Sequence, residues 1–224
     1  MLPGFDCKLG EHLCLLLLNI KKLAVIGQLL YKHQSAMTIN KTLYVTTRNE
    51  WRDWLRDNFN KTTEIWLVYP KKNTGKIRIL YNDVVEEALC FGWIDSTVKA
   101  LDNNNTIQRF TPRNPKSDFS QANKERLKWL YDKKMIHPSF EKIVLQTINY
   151  KFLPPSDIIE TIKEDRIAWE NYQLFSDSYK RIRIAYIDSA RSRPDEFKKR
   201  LSSFIDKTRK NRLIKGYGGI EKYY

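Results

Sequence analysis

The chain has 224 residues, enough for one large domain or two small ones with a core that needs neither disulfides nor metals. Hydrophobic residues make up 42% and aromatic residues 12% of the sequence, which excludes an intrinsically disordered protein. The 40 Lys and Arg against 26 Asp and Glu give a formal net charge of +14, which favours polyanionic partners, although the same charge would also serve only to solvate a basic protein.

Residues 1–36 are predicted to be a leader that is either spurious or weakly structured. The apolar run from Leu13 to Ile20 is followed by Lys21 and Lys22, so no run reaches the roughly 18 to 20 residues that span a bilayer. Charges of both signs precede the run and no Ala-x-Ala site follows it, which disfavours a signal peptide. The sequence therefore predicts no integral membrane segment and a cytoplasmic location.

Residues 37–136 are predicted to form an α+β core domain with a small, mainly antiparallel β-sheet. Runs rich in β-branched and aromatic residues that end at turn-forming residues are typical of strands. The predicted strands are 64–69, 76–81, 93–101 and 106–111, with 43–46 as a candidate edge strand. The first two strands are expected to form a hairpin around 71–75, and the last two a hairpin around 102–105.

Three helices are predicted in the same domain. Thr47 and Glu50 have the spacing of a capping box before apolar residues at helical spacing, so a helix is expected over 47–59. Asn82 or Asp83 is expected to cap a second helix, which Gly92 ends. Ser120 is expected to cap a third.

Residues 137–224 are predicted to be a helical region packed on the core domain and ending in a short basic tail. Helices are expected at 156–166, at 179–190 and from Pro194 onward, and the glycines at 216, 218 and 219 are expected to release the tail. From residue 178 to the end there are 14 Lys and Arg against five Asp and Glu, a net charge of +9. This end is therefore the predicted electrostatic footprint.

The sequence contains no motif for a metal ion or a nucleotide. Cysteine occurs at positions 7, 14 and 90 and histidine at 12, 33 and 137, without the pairs that zinc sites and disulfide frameworks need. No GxxxxGK[ST] or GxGxxG loop occurs. We therefore expect no metal, no cofactor and a reducing compartment. Cys90 is expected to be a buried core residue, because a helix C-terminus raises a thiol pKa.

The tryptophans and one aspartate each allow two interpretations. Trp51, Trp54, Trp66 and Trp93 have helix or strand spacing, which favours core positions over a platform on which bases stack. Asp95 follows an apolar pair at the start of a strand, where it would either accept backbone N–H groups at a turn or act as a general base.

The segment from Arg109 to Ser120 is the strongest candidate for a binding site. It carries two prolines, three cations and small polar residues directly into a predicted helix N-terminus. Backbone N–H groups, the positive end of the helix dipole and the cations of Arg113 and Lys116 would together bind an anion. Alternatively, the polar residues only cap the helix and the cations are solvated.

Four segments together resemble the YdeI/OmpD-associated family, also labelled bacteriocin-protection proteins: Glu87 to Asp95, Arg109 to Arg113, Lys116 to Ser120 and Asn123 to Arg126. The resemblance covers about residues 43–210. It implies a bacterial α+β protein without a known cofactor. The family name links such a protein with an outer-membrane porin and with survival under bacteriocins or cationic antimicrobial peptides.

The resemblance also gives a candidate set of ligand-binding residues, which match the family's motif positions: Trp93, Asp95, Arg109, Arg113, Lys116, Ser117, Ser120 and Asn123. It supplies no catalytic residues. Phe119 stands where a Trp is expected in the family, which is a conservative difference, and the leader is an addition.

Three functions follow as hypotheses. The preferred one is a non-enzymatic, stress-related binding protein for an anionic ligand or a protein partner. The alternatives are a nucleic-acid-binding protein that uses the basic C-terminal helix, and an enzyme with Asp95 as general base and Arg109 or Arg113 as a clamp on an anionic substrate. Direct capture of cationic peptides is disfavoured, because the positive charge of the chain repels them.

Overall fold

A computed structural model of the chain describes residues 41–224, and within them Thr42–Tyr224 form one unit. The predicted leader, residues 1–36, lies outside the described residues. In chain order the elements are β1 (Thr42–Leu43), α1 (Arg48–Asn58), β2 (Ile65–Pro70), α2 (Tyr81–Cys90), β3 (Trp93–Ala100), β4 (Asn105–Pro112), α3 (Gln121–Asp132), α4 (Pro138–Ile148), α5 (Ser156–Lys163), α6 (Arg166–Leu174), α7 (Asp177–Asp188) and α8 (Pro194–Arg209), with short 3₁₀ helices at Lys72–Thr74 and Tyr217–Tyr223.

The four strands form one sheet in the order β1-β2-β4-β3. β2 and β3 both pair with β4 in antiparallel fashion, and only the two-residue β1 is parallel to its neighbour. The β3–β4 hairpin closes where Asp102 Oδ1 accepts the backbone N–H groups of Asn104 and Asn105 at 2.7 and 2.8 Å. The predicted α+β class, the mainly antiparallel sheet and this hairpin are therefore confirmed.

The predicted strand at 76–81 is wrong. Residues 75–80 are irregular, and α2 begins at Tyr81. The reason lies in the sheet order: β2, the expected hairpin partner, already pairs with β1 on one edge and with β4 on the other. Because both edges of β2 are occupied, the segment does not pair with it. Ile79 is buried, whereas Ile77 and Leu80 are each 69% exposed, so the alternating sequence pattern reflects the burial of Ile79 alone.

The predicted N-terminal caps are confirmed for α1 and α3 but not for α2. The capping box at Thr47 and Glu50 is present, and Ser120 Oγ accepts the N–H of Asn123 at 3.3 Å. The predicted cap of α2 at Asn82 or Asp83 is wrong, because the N-cap is Leu80 and makes no side-chain bond.

In the C-terminal half the helix boundaries differ from the prediction. The helix predicted at 156–166 ends at Lys163, where Asp165 caps a separate helix, α6, by accepting the N–H of Ala168 at 3.0 Å. Neither α6 nor α4 was predicted.

Two apolar clusters form the main core. The first lies between the sheet and α1–α4, and the tryptophan rings pack in it: Trp51 is fully buried, lies 5.3 Å from Trp54 and 5.5 Å from Phe110, and Trp93 is 1% exposed. The second lies among α5–α8. The core interpretation is therefore confirmed for Trp51, Trp54 and Trp93, and Trp66 is also buried, at 3% exposure, outside these two clusters. The first cluster reaches Val144, beyond the boundary predicted at 136, and the division into domains stays a prediction.

The C-terminal segment packs onto the protein, so the predicted release of a tail is wrong. Ile220 and Tyr223 are 3% and 7% exposed. Tyr223 lies against Trp129 of the first half, and Tyr224 lies 4.8 Å from Tyr179 of α7. The segment is aromatic as well as basic, and burying these rings outweighs the flexibility that its glycines provide. Among residues 41–224, no helix has the length and apolar character needed to cross a membrane.

Candidate functional site

The loop that follows β4 is fixed to the rest of the core through its backbone. The N–H of Arg113 donates to the carbonyl oxygen of Gly92 at 2.9 Å. Gly92 has φ +69°, a conformation that glycine adopts without strain, and it lies directly between α2 and β3. The start of the loop is therefore held by the junction between α2 and β3.

The side chain of Arg113 is unusual because part of its hydrogen-bonding capacity is unused. Its guanidinium lies 3.6 Å from the centre of the Phe119 ring, and Nη1 donates to the carbonyl oxygen of Asn114 at 3.2 Å. Nη2 is shielded from solvent, and no described residue accepts a hydrogen bond from it. Burial lowers the pKa of Arg113, and the nearby charge of Asp118 opposes this change. A cationic donor without an acceptor is the feature that a bound anion would satisfy.

Arg113 lines a cavity of about 360 Å³, here called the loop cavity. Its walls come from the loop, from α3, from α4 and from the residues that follow α4: Arg113, Pro115, Ser117, Asp118, Phe119, Lys124, Ile143, Gln146, Thr147 and Tyr150. A second cation, Lys124, lies on this wall with Nζ 4.5 Å from the centre of the Tyr150 ring. The polar groups are an arginine, a lysine, hydroxyls and an amide against a single carboxylate, which suits a small hydrophilic anion.

Of the eight residues predicted from the sequence, two line the loop cavity, Arg113 and Ser117. Lys116 belongs to the same loop, where its backbone N–H donates to Asn114 Oδ1 at 2.9 Å. Ser120 caps α3, as the capping interpretation of the segment expects.

The remaining predicted residues have other partners. Trp93 is buried, and its Nε1 donates to the carbonyl oxygen of Phe59 at 3.1 Å. Arg109 pairs with Glu64 at 2.6 Å. Asn123 accepts a hydrogen bond from Arg126 Nη1 at 3.0 Å. The predicted set therefore does not converge on one cleft.

Asp95 lies within β3 and joins three elements. Its Oδ2 accepts hydrogen bonds from Tyr81 Oη of α2 and from Gln108 Nε2 of β4, both at 2.8 Å. The expected backbone partners at a turn are replaced by these two side chains, which come from residues 14 and 13 positions away in the chain. Asp95 thus positions α2 against the sheet.

Sequence reasoning missed the part of the loop cavity that comes from α4, with Gln146 and Thr147, and from Tyr150 just beyond it. The helix has a readable signal: His137 caps it and Pro138 is its first residue, a position that proline favours. The apolar residues Phe140 and Val144 are spaced four apart and pack on the first cluster.

Sequence reasoning also missed two adjacent carboxylates, Glu86 and Glu87, that are fully buried. Arg48 Nη1 donates to Glu86 Oε2 at 2.6 Å, and Lys222 Nζ donates to Oε1 at 2.7 Å. Glu87 accepts hydrogen bonds from Arg48 and Arg52 at 2.5 and 2.6 Å. Each carboxylate thus has cationic partners, which makes this cluster a structural one.

Cys90 lies at the end of the same helix and is fully buried. Burial, together with the charge of Glu87, raises the pKa of its thiol to about 12. The predicted core role of Cys90 is confirmed. Among the residues that the structure describes, no group of three or more His, Cys, Asp or Glu side chains is arranged to hold a metal ion.

Residues 152–211 match the family described as Bacteriocin-protection, YdeI or OmpD-Associated. The resemblance seen in the sequence is therefore confirmed for residues 152–211, whereas residues 43–143 match a separate domain of unknown function. The segments that suggested the family, and all eight predicted site residues, lie in that separate domain. No curated protein and no solved structure matches the chain.

Proposed function

We propose that the protein is a non-enzymatic, cytoplasmic binding protein for a small hydrophilic anion, which it holds in the loop cavity. The observation that supports this most directly is Arg113, whose Nη2 is buried without an acceptor among the described residues. An unsatisfied buried donor costs about 1–3 kcal/mol, and more for a charged group. An anion bound next to the guanidinium would compensate this partly desolvated positive charge.

The surroundings of Arg113 favour a phosphate or carboxylate group over a neutral ligand. Lys124 adds a second positive charge, and only Asp118 opposes it among the described lining residues. The stacking of Arg113 on Phe119 fixes the plane of the guanidinium, and a fixed planar fork suits a two-oxygen ligand. The family name refers to bacteriocin protection. A stress-related role would require that binding responds to the concentration of such an anion in the cell.

The two alternatives receive less support from the geometry. An enzyme would need Asp95 next to Arg109 or Arg113, but Asp95 binds Tyr81 and Gln108, and Arg109 binds Glu64. For nucleic acid, many cations of the basic C-terminal end are paired with carboxylates: Lys180, Arg181, Arg191, Arg200, Arg209 and Lys222. These cations contribute less to an external phosphate contact than the net charge implies.

Replacing Arg113 by glutamine is expected to weaken anion binding by about tenfold or more, because a hydrogen bond to a charged group contributes about 1.5–3 kcal/mol. The measurement is a calorimetric titration of the full chain with sodium phosphate and with citrate. In the unsubstituted protein, the ¹⁵N-detected side-chain signals of Arg113 should shift as phosphate is added.

Lys128→Gln is the matched control, since Lys128 is exposed on α3 and is not part of the loop cavity. It removes the same charge and should leave phosphate binding unchanged. If neither phosphate nor citrate binds, or if Arg113→Gln binds them as well as the unsubstituted protein does, the proposal is wrong. Salt-sensitive binding of a DNA duplex that survives Arg113→Gln would favour the nucleic-acid alternative.

A further inference from the structure

A second cavity lies where the two halves of the protein meet, away from the loop cavity. Its volume is about 510 Å³, and we call it the junction cavity. It is lined by the first residue of α2, by the start of α3, by α7 and by the C-terminal segment: Tyr81, Ser120, Gln121, Ala122, Arg126, Ile182, Arg183, Ala185, Tyr186, Ser189, Ile214, Lys215, Gly216 and Ile220. One wall therefore comes from the part of the chain that matches the domain of unknown function, and another from the part that matches the named family.

The charge of the junction cavity is of one sign. Arg126, Arg183 and Lys215 line it, and none of the described residues that line it is acidic. Arg126 and Arg183 are 6% and 7% exposed, so their charges are poorly screened by water. A positive, partly desolvated cavity attracts an anion.

Arg183 makes two hydrogen bonds, yet one of its N–H donors has no acceptor among the described residues. Its Nη2 donates to the carbonyl oxygen of Ile214 at 2.5 Å and to Tyr224 Oη. Its Nε is shielded from solvent, and no described residue accepts a hydrogen bond from it. Among residues 41–224, the hydrogen-bond partners of Arg183 are neutral and no carboxylate forms an ion pair with it. This is uncommon, because buried charges are normally paired.

Most of the rest of the wall is apolar or aromatic: Ala122, Ile182, Ala185, Ile214, Ile220, Tyr81 and Tyr186. Ser120, Gln121 and Ser189 are the uncharged polar residues among the described lining residues. Such a surface gains free energy by covering hydrocarbon or an aromatic ring, which the polar loop cavity does not. The occupant must therefore combine a charged end with an apolar body.

We propose that the junction cavity binds an organic anion with an apolar body, its acidic group held near Arg183 and Lys215 and its hydrocarbon part against the isoleucines. This site does not depend on the loop cavity. The two ligand classes differ as well, since phosphate and citrate have no apolar body.

The probe is 8-anilinonaphthalene-1-sulfonate, an aromatic sulfonate whose fluorescence rises in an apolar environment. Its neutral counterpart, N-phenyl-1-naphthylamine, has the same rings without the sulfonate. We expect the sulfonate to bind the full chain at one site and the amine to bind at least about tenfold more weakly, which corresponds to about 1.4 kcal/mol. Equal affinity for the two probes would show that the cations do not contribute to binding, which contradicts the proposal. Absence of sulfonate binding would show that the junction cavity is not a binding site for such an anion.

Two substitutions locate the probe. Lys215→Gln removes an exposed cation of the cavity wall and is expected to raise the Kd of the sulfonate about threefold to tenfold. Ala185→Leu fills the cavity without changing charge and should raise the Kd by about tenfold or more. Arg183→Gln is avoided as the main test, because Arg183 also holds Ile214 and Tyr224 and the variant could fail to fold.

Two controls separate this site from other surfaces. Lys210→Gln removes an exposed cation just beyond α8 that is not part of the junction cavity, and it should leave the Kd unchanged. Arg113→Gln should also leave it unchanged, and excess phosphate should not compete. Circular dichroism checks that each variant is folded. If the sulfonate binds Lys215→Gln and Ala185→Leu as tightly as the unsubstituted protein, the junction cavity is not its site and the proposal is wrong.

Discussion

Replacing Glu86 by alanine is expected to lower the free energy of unfolding by about 3–5 kcal/mol, the cost of removing one member of a buried ionic group. Glu86 is fully buried and accepts hydrogen bonds from Arg48, Lys222, Asn82 and Tyr223. Without the carboxylate, Lys222 loses its ion-pair partner and Tyr223 its acceptor. The C-terminal segment should then loosen from the first half of the protein. Urea unfolding, followed by tryptophan fluorescence and by circular dichroism, measures the loss.

Glu170→Ala is the matched control for this substitution. Glu170 also pairs with an arginine, Arg166 at 3.3 Å, but the two side chains are 58% and 88% exposed. Exposed ion pairs contribute little, so this variant should differ from the unsubstituted protein by less than about 0.5 kcal/mol. Equal effects of Glu86→Ala and Glu170→Ala would contradict the structural role of the buried group.

The same carboxylate gives the protein a defined response to acid. Burial acts to raise the pKa of Glu86, but hydrogen bonds from Lys222, Tyr223 and Arg48 outweigh it and lower the pKa. A carboxyl group whose pKa falls on folding stabilises the protein above its unfolded pKa, about 4.3. That stability is lost as the pH falls through the lower, folded pKa. Between neutral pH and about pH 3, Glu86→Ala should therefore show a smaller loss of stability than the unsubstituted protein.

Replacing Gly92 by alanine is expected to lower the free energy of unfolding by about 2–5 kcal/mol, from two separate causes. The backbone at Gly92 has φ +69°, which strains any residue with a Cβ atom. The new Cβ would also lie 2.2 Å from Cε1 of Phe140, so the ring at the start of α4 must move. Chemical unfolding of the purified variant measures the loss.

Gly75→Ala separates the two causes. Gly75 has φ +68°, nearly the same conformation, but no heavy atom of the described residues lies within 4 Å of the Cβ that alanine would add. This variant should lose only the backbone contribution, about 1–2 kcal/mol. A loss at Gly92 no larger than the loss at Gly75 would show that the contact with Phe140 has no energetic consequence.

Gly92 also connects the fold to the loop cavity, since its carbonyl oxygen accepts the N–H of Arg113 and it lies against Phe140 in the first turn of α4. A shift of α4 moves Gln146 and Thr147, which line the cavity. Gly92→Ala should therefore weaken phosphate binding as well as stability, whereas Gly75→Ala should affect stability alone.

Much of the fold was readable because its signals are local. The capping box at Thr47 and Glu50 and the turn at Asp102 need only neighbouring residues, and both lie where the sequence placed them. The strand predicted at 76–81 is wrong because β2, its expected hairpin partner, already pairs with β1 and β4, and this pairing is set by residues far away in the chain. The same limit applies to the C-terminal segment. Its glycines predicted a free tail, but Tyr223 packs against Trp129 of α3 and Tyr224 against Tyr179 of α7.

The loop cavity divides in the same way. The sequence identified Arg113 because it lies between two prolines, shortly before a predicted helix N-terminus. That Lys124 and the α4 residues line the same cavity follows only from tertiary packing. Trp93, Asp95 and Arg109 are residue types that often occur in binding sites. In the structure each interacts with a residue outside the loop cavity: Phe59, Tyr81 and Glu64, respectively. Which side chains share a cavity depends on contacts between distant residues, and chain order does not encode these contacts directly.

The sequence by itself determined the α+β class, the mainly antiparallel sheet, and the buried cysteine and tryptophans, because apolar periodicity and capping are properties of short segments. Only the tertiary structure decided which edge each strand takes, that Glu86 and Glu87 are buried with cationic partners, and that two separate cavities carry the unsatisfied arginines. The physical reason is that burial, desolvation and pairing of charges arise where segments far apart in the chain are packed together.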